Sequence, residues 1–359
     1  MDETLNQLRS RIDRLDDALL QLLSERALVA QQVGRAKNGD KIYRPEREAQ
    51  IVHRLREANT GPLNADSIER LFREIMSSCR ALEQTIRAVY LGPAGTFSQA
   101  ALYKQFGHEV EALPEADIDA CFRAVETGRA DFAVVPVENS TEGPVSRTLD
   151  LIVASPLKIC GEVMLPIHQN LMRKGEGLNG IQRVYGHAQS LAQCQNWLNR
   201  RLPTAERVEV ASNAEGARCA AVQPNTAALG SEVAAELYGL SIIEPRVEDE
   251  TSNTTRFLVL GVNDTAPSGR DKTSLVLGAP NRPGAIVKLL QPLADAGISM
   301  SKLESRPARS ANWEYLFFLV CEGHRDDALL SATLSEIGKH AAFLKILGSY
   351  PASIPPYAS

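Results

Sequence analysis

No apolar run in this chain approaches the roughly 18 residues that a membrane-crossing helix needs, so no transmembrane segment is expected. The six cysteines, at positions 79, 121, 160, 194, 219 and 321, are scattered and form no C-x-x-C pair, and no histidine stands at metal-ligand spacing. They read as core thiols in a reducing compartment, and no metal is expected. No Gly-Lys-Ser/Thr motif occurs, which leaves no P-loop, and no cofactor is expected. A long basic stripe is also missing, and the net charge of −5 argues against nucleic acid as a partner. The charged, helix-patterned start is unlike a secretory signal. What remains is a cytoplasmic chain whose 359 residues suggest two or three domains, with 44% hydrophobic and 23% charged residues, an ordinary balance for burying real cores.

Leu5, Leu8, Ile12, Leu15, Leu19 and Leu22 run in 3-4 alternation, and the next seam position is Arg26 before the stripe resumes at Val29 and Val33. A guanidinium in a seam is costly unless something negative pairs with it. Lys37 falls on nearly the same face about three turns later, and Arg9 lies beside the seam near its start. A second helix opens at Arg44-Pro45-Glu46-Arg47-Glu48, with Pro45 suited to the first turn and Arg47 and Glu48 one turn before Ile51 and Val52. A third helix is expected over about 67–85, where Leu71, Ile75, Cys79 and Glu83 form one row that ends in a carboxyl group.

Three helices thus bring Arg9, Arg26, Lys37, Arg47, Glu48 and Glu83 to inward or flanking positions, a pocket for a small polyanion. Leu8-Arg9, Glu25-Arg26, Val33-Gly34-Arg35-Ala36-Lys37, Arg47-Glu48 and the third helix resemble the all-helical chorismate mutase family over residues 1–87. The resemblance implies an intertwined homodimer to which Arg9 comes from the other chain. It also implies that Arg9, Arg26 and Arg47 bind the carboxylates of chorismate, Lys37 donates to the ether oxygen, and Glu48 takes the substrate hydroxyl. Such a rearrangement needs no nucleophile, only a clamp and donors aimed at developing charge. Glu83 matches a position that is Gln in some members, Cys79 one that is Ser, and Arg44 replaces an acidic residue. Either Glu83, if protonated, or Gln84 could be the second ether-oxygen donor; a slip of one residue turns Gln84 about 100° round the helix, which favours Glu83.

From residue 88 the pattern changes to short apolar runs that end in small polar turns and lead into helices: Ala88–Leu91 into Gly92-Pro93-Ala94-Gly95-Thr96-Phe97-Ser98, Phe132–Val137 into Glu138-Asn139-Ser140, Val184–Gly186 into His187-Ala188-Gln189, and Ala227–Leu229 into Gly230-Ser231. This is α/β architecture, in which ligands settle at strand carboxyl ends near helix N-termini. Together with Thr251-Ser252-Asn253-Thr254-Thr255-Arg256-Phe257 these motifs resemble prephenate dehydratase over residues 88–262, which implies two α/β lobes like those of periplasmic binding proteins. The implied site is the cleft, with Thr255 at the ring hydroxyl that leaves, Arg256 at a substrate carboxylate, and Asn139, Glu138 and Gln189 in support. Thr96, Ser98 and Ser231 are expected to line it. His187 reads equally as a structural turn residue and as a proton donor.

Asn263–Gly269 has linker composition. Beyond it the strand and helix order is βαββαβ, a ferredoxin-like α+β unit over 271–350 that resembles an ACT regulatory domain. Gly284-Ala285-Ile286-Val287 and Glu304-Ser305-Arg306-Pro307 match the two stretches that bind phenylalanine in dehydratases. Alternation places Glu304 and Arg306 on one face and Ser305 on the other. The tail from Pro351 is expected to lack fixed structure.

The resemblances imply a homodimeric enzyme that takes chorismate through prephenate to phenylpyruvate under L-phenylalanine control. The alternatives are an inert amino-acid sensor built on the binding-protein-like module, and a mutase attached to an inert dehydratase half.

Overall fold

The computed structural model describes residues 2–36, 43–279, 282–307 and 315–353, so Lys37 lies outside the described residues. Three helices open the chain, α1 (Asp2–Ala36), α2 (Pro45–Ala58) and α3 (Ala65–Ala81). Pro45 has no N–H to leave unpaired in the first turn of α2, and Asn64 caps α3 by accepting the Ser67 N–H at 2.7 Å. The helix α3 stops at Ala81, short of the expected 85, and Glu83 sits in the closing turn with its N–H bonded to Arg80 O at 2.9 Å.

The apolar seam of α1 stays open to water in the single chain: Ile12, Leu15 and Leu19 are each 56% exposed. By contrast, one face of α3 is covered, with Met76, Ser77, Cys79 and Arg80 buried. Its cover includes the helix Phe97–Phe106 of the next segment: Arg80 Nη2 donates to Phe106 O at 2.6 Å and its guanidinium lies 5.2 Å from the Tyr43 ring centroid. Tyr43 packs in turn on Phe106 and Phe132.

The middle segment is two sheets. The first orders its strands Glu111–Glu115, Arg87–Leu91, Phe132–Asn139, Thr254–Gly261 and Lys158–Pro166. In the second, the order is Ser241–Glu244, Asn170–Arg173, Thr226–Gly230, Arg183–Gly186 and Glu206–Glu209. The chain leaves the first sheet after Pro166 and returns at Thr254, antiparallel to both neighbours. Two crossings between two lobes leave a cleft between them, and the return strand delivers Thr255 to its edge.

The last segment is a four-stranded antiparallel sheet in the order Met300–Pro307, Tyr315–Glu322, Asp271–Gly278, Phe343–Pro351, backed by helices Ala285–Asp295 and Ala328–His340. The linker is tied down, since the buried ring of His324 bonds Thr265 O through Nε2 at 2.9 Å. The tail also departs from expectation. Pro351 pairs with Asp271, and the Ser353 N–H bonds Glu162 Oε1 at 3.0 Å, because a buried carboxylate there requires donors.

The final strand presses so closely on Lys158–Pro166 that a Cβ at Gly348 would overlap the backbone of Ile159. Backbone cannot step aside. Gly348→Val is therefore expected to prise the last sheet from the lobe, lower the thermal midpoint and open the Asn263–Gly269 linker to limited proteolysis. An unchanged melting curve and digest would show that the two strands tolerate separation.

Candidate active sites

In the helical segment Arg26 is half-buried while Arg9, Arg44 and Arg47 are exposed. Cys79 is buried on α3. Glu83 turns inward against Gly34, where an added Cβ would overlap its carboxyl group, and its Oε2 is buried with no hydrogen-bond partner among the described residues. Gln84 is exposed. The structure thus distinguishes the two candidate donors by direction.

Glu48, expected at the substrate hydroxyl, is ion-paired with Arg80. Burial raises its carboxyl above the ordinary range, against the pull of Arg80, Arg73 and Arg26. Arg80 was not among the expected site residues. Its signal was the polar row Arg73, Ser77, Arg80 on α3, which faces the next domain and not water.

Between the lobes lies a cleft of about 340 Å³ lined by Thr96, Ser98, Asn139, His187, Gln189, Ser231 and Thr255, all expected from sequence. Asn139 Nδ2 donates to Thr255 Oγ1 at 2.8 Å and to Asn253 Oδ1 at 2.7 Å, and its Oδ1 is turned back to Thr141 N at 3.0 Å. Because the Thr255 oxygen accepts from Asn139, its own hydrogen is left to donate into the cleft. Ser231 donates to Gly95 O at 2.9 Å, a tie from one lobe to the other. The His187 backbone N–H donates to Asn213 Oδ1 at 2.8 Å while the residue stays exposed at the cleft.

None of the described residues lining this cleft is Lys, Arg, Asp or Glu. The field comes from backbone instead. Thr96, His187, Ser212 and Ser231, each the N-cap of a helix, all line it. Helix N-termini carry partial positive charge and unpaired N–H groups, which suits an anionic substrate. Asn213 and Gln169 also line the cleft and were missed as uncharged residues in unremarkable runs, and Asn253, within the Thr251–Phe257 motif but given no role, lines it too. Asn213 Nδ2 donates to Ser190 Oγ at 2.7 Å.

Two expectations fail here. Arg256 does not reach the cleft: its Nε bonds Glu162 Oε2 at 2.8 Å and its Nη2 the Tyr350 hydroxyl at 2.9 Å. Glu138 faces the same way, paired with Lys302 Nζ at 2.7 Å. Both sit beside cleft residues on their strands, and alternation sends neighbours to opposite faces.

In the last sheet Gly284 is left-handed at φ 76° and caps the helix that begins at Ala285, which is buried. Ile286 is half-buried and Val287 exposed. Along the edge strand, Ser305 and Pro307 point to water. Glu304 approaches Lys302 Nζ at 3.2 Å, and Arg306 Nη1 donates to Ser146 O at 2.7 Å, so these two side chains face the neighbouring lobe.

Family profiles match in the same order: chorismate mutase type II over residues 8–84, prephenate dehydratase over 88–265 and the ACT domain over 273–338. The bifunctional chorismate mutase/prephenate dehydratase of Neisseria gonorrhoeae is 52% identical over 357 residues, 99% of both chains. The chain belongs to the bifunctional chorismate mutase/prephenate dehydratase family. A prephenate dehydratase from Arthrobacter aurescens, solved in complex with L-Phe, is 31% identical with a TM-score of 0.68 over 76% of this chain and 94% of its own. A quorum-quenching acylase, GqqA, superposes equally well, at 30% identity and a TM-score of 0.69 over 74% of this chain and 98% of its own. Fold alone therefore does not name the reaction, and the side chains of the cleft must.

The orientation of Thr255 is testable. Thr255→Val, which removes the donor, and Asn139→Asp, whose carboxylate would capture the Thr255 hydrogen, should each lower prephenate turnover by about 100-fold or more. Thr255→Ser should keep most of it. Near-parental turnover in Asn139→Asp would show that the hydrogen is not aimed by Asn139.

Proposed function

We infer that the described geometry divides two consecutive reactions between two sites, with residues 1–87 rearranging chorismate to prephenate, 88–262 converting prephenate to phenylpyruvate, and 271–350 regulating the second. The observation that carries the second site is the Thr255 hydroxyl, aimed by Asn139 into a cleft ringed by helix N-termini. The electron pair of the bond to the lost carboxyl group enters the ring, carbon dioxide departs, and the ring hydroxyl leaves with the C–O electron pair and a proton, passed through Thr255 from solvent, as water. A threonine hydroxyl is a weak acid, so Thr255 acts as donor and relay to that hydroxyl while the helix ends hold the remaining carboxylate. An oriented donor at this point disfavours the inert sensor.

The mutase site is proposed to use Arg9, Arg26 and Arg47 as the carboxylate clamp, Lys37 and Glu83 as donors to the ether oxygen, and Glu48 at the substrate hydroxyl. Arg9 and Arg26 are seventeen residues apart on one unbroken helix, about 25 Å, too far for one small substrate. A second copy must supply Arg9, and the exposed seam of α1 is the surface on which it would pack. The working form is thus a homodimer, and the composition and free cysteines suit the cytoplasm.

For regulation, the Gly284–Val287 turn with the edge strand Glu304–Pro307 is the proposed L-phenylalanine site, supported by the A. aurescens enzyme in complex with L-Phe. Glu304 and Arg306 serve it by holding the strand on the lobe rather than by touching the effector.

Ultraviolet absorption of phenylpyruvate in base, after adding chorismate or prephenate, tests the division. Arg26→Ala should abolish chorismate consumption and leave prephenate turnover nearly intact, and Thr255→Val should do the reverse. Loss of both activities in either folded variant would refute two independent sites.

Gly284→Val, forced into a left-handed conformation that a β-branched residue resists, should remove phenylalanine inhibition while sparing both reactions. Unchanged inhibition would exclude this turn.

A further inference from the structure

The two residues at the heart of the dehydratase strand face opposite ways: Thr255 lines the cleft, and Arg256 points to the ACT domain. On the neighbouring strand Arg256 stands opposite Met164, and Glu162 is opposite Leu258, so the guanidinium reaches its carboxylate along a cross-strand diagonal. The Glu162 side chain is 0% exposed. Its other oxygen takes Lys272 Nζ at 2.6 Å and the Ser353 N–H at 3.0 Å. Tyr350, fully buried, accepts from Arg256 and shares a bond with Ser274 Oγ at 2.6 Å. Every partner of Glu162 except Arg256 comes from the ACT side of the linker.

A cluster of this kind is a poor device for stability, because packed apolar side chains often do as well or better in the same volume. What it supplies is a fixed position. That position matters at this point on the strand, since the ladder to Phe132–Asn139 shifts register between Arg256 and Phe257. Residues 254–256 lie beyond that shift, where pairing resumes with Thr255 opposite Asn139 and runs unbroken to Lys158–Pro166 on the other side, and the side-chain grip on Arg256 adds a fixed point next to the irregularity.

We propose that Glu162 and Arg256 are positioning residues for Thr255, and that Lys272 and Tyr350 make their hold conditional on how the ACT domain sits. The proposal rests on the reading of Thr255 as the donor to the leaving hydroxyl. An effector that binds one ACT placement better than another then changes dehydratase turnover by drawing Lys272 and Tyr350 toward or away from the pair. Burial works against ionisation of Glu162, but Arg256 and Lys272 hold it below the ordinary carboxylate range, so it stays charged at working pH. Burial pushes the Tyr350 hydroxyl up to about 12, and it keeps its proton.

The test uses the full chain and avoids stripping the carboxylate, which would strand two buried cations. Tyr350→Phe removes one hydroxyl and leaves the ion pairs, and Lys272→Met removes one arm. Each should lower kcat for prephenate between about 10- and 100-fold, the size of effect that misplacing a reacting group produces. KM and chorismate consumption should stay at the parental values, and the concentration of phenylalanine giving half-inhibition should rise several-fold. Lys272→Arg, which keeps the charge, should restore turnover. Parental kcat and parental inhibition in folded Tyr350→Phe and Lys272→Met would overturn the proposal, as would a lower melting temperature with unchanged kinetics. Full activity in Thr255→Val would instead remove the reading on which the proposal rests.

Discussion

A carboxylate shut away from water obliges the chain to surround it with donors, and Glu162 draws them from two domains. Arg256 comes from the lobe that carries Thr255, and Lys272 and Ser353 come from the sheet that follows the linker. Removing either side leaves charge stranded in a medium that solvates it poorly. This single requirement places the last strand against Lys158–Pro166, demands a glycine at 348, and brings the tail back over the lobe when its composition suggests none of this.

The cleft between the lobes, proposed as the dehydratase site, meets a related electrostatic problem with the opposite solution. A substrate that sheds a carboxyl group passes from more negative to less negative, and a fixed lysine or arginine would hold the starting charge firmly. Partial charges at helix ends are weaker, shorter in range and already bonded into the scaffold. The uncharged lining of the cleft is therefore consistent with a site that must let charge go.

Much of the fold was legible because it rests on local periodicity. The 3-4 row of α1, the strand-to-turn motifs and the βαββαβ order all name their elements directly. The cleft residues were legible because they gather at turns and element ends: Asn139 ends its strand, Thr96 and Ser231 cap helices, Ser98 and Gln189 lie in first helical turns, and Thr255 stands near the start of the return strand. Arg256 and Glu138 were misplaced for a definite reason: alternation says that they oppose their neighbours, but only the tertiary structure says that a second domain covers their face. The pairing of Glu48 with Arg80 was hidden in the same way, since α3 reads as a helix of one small domain until Phe106 is seen against it. Asn213 and Gln169 carried no signal at all, because a neutral amide in a turn looks the same whether or not a substrate passes by.

The helix α3 has two faces with different obligations. One leads into the closing turn, where Glu83 lies against Gly34 of α1, and the other lays Ser77 and Arg80 against the dehydratase segment. A stretch of seventeen residues is thus read by both enzymes at once, and few of its positions can drift without consequence for one or the other. Such a shared wall has a physical consequence: parting the two segments would bare Ser77, Arg80 and Phe106, groups that now satisfy or cover one another.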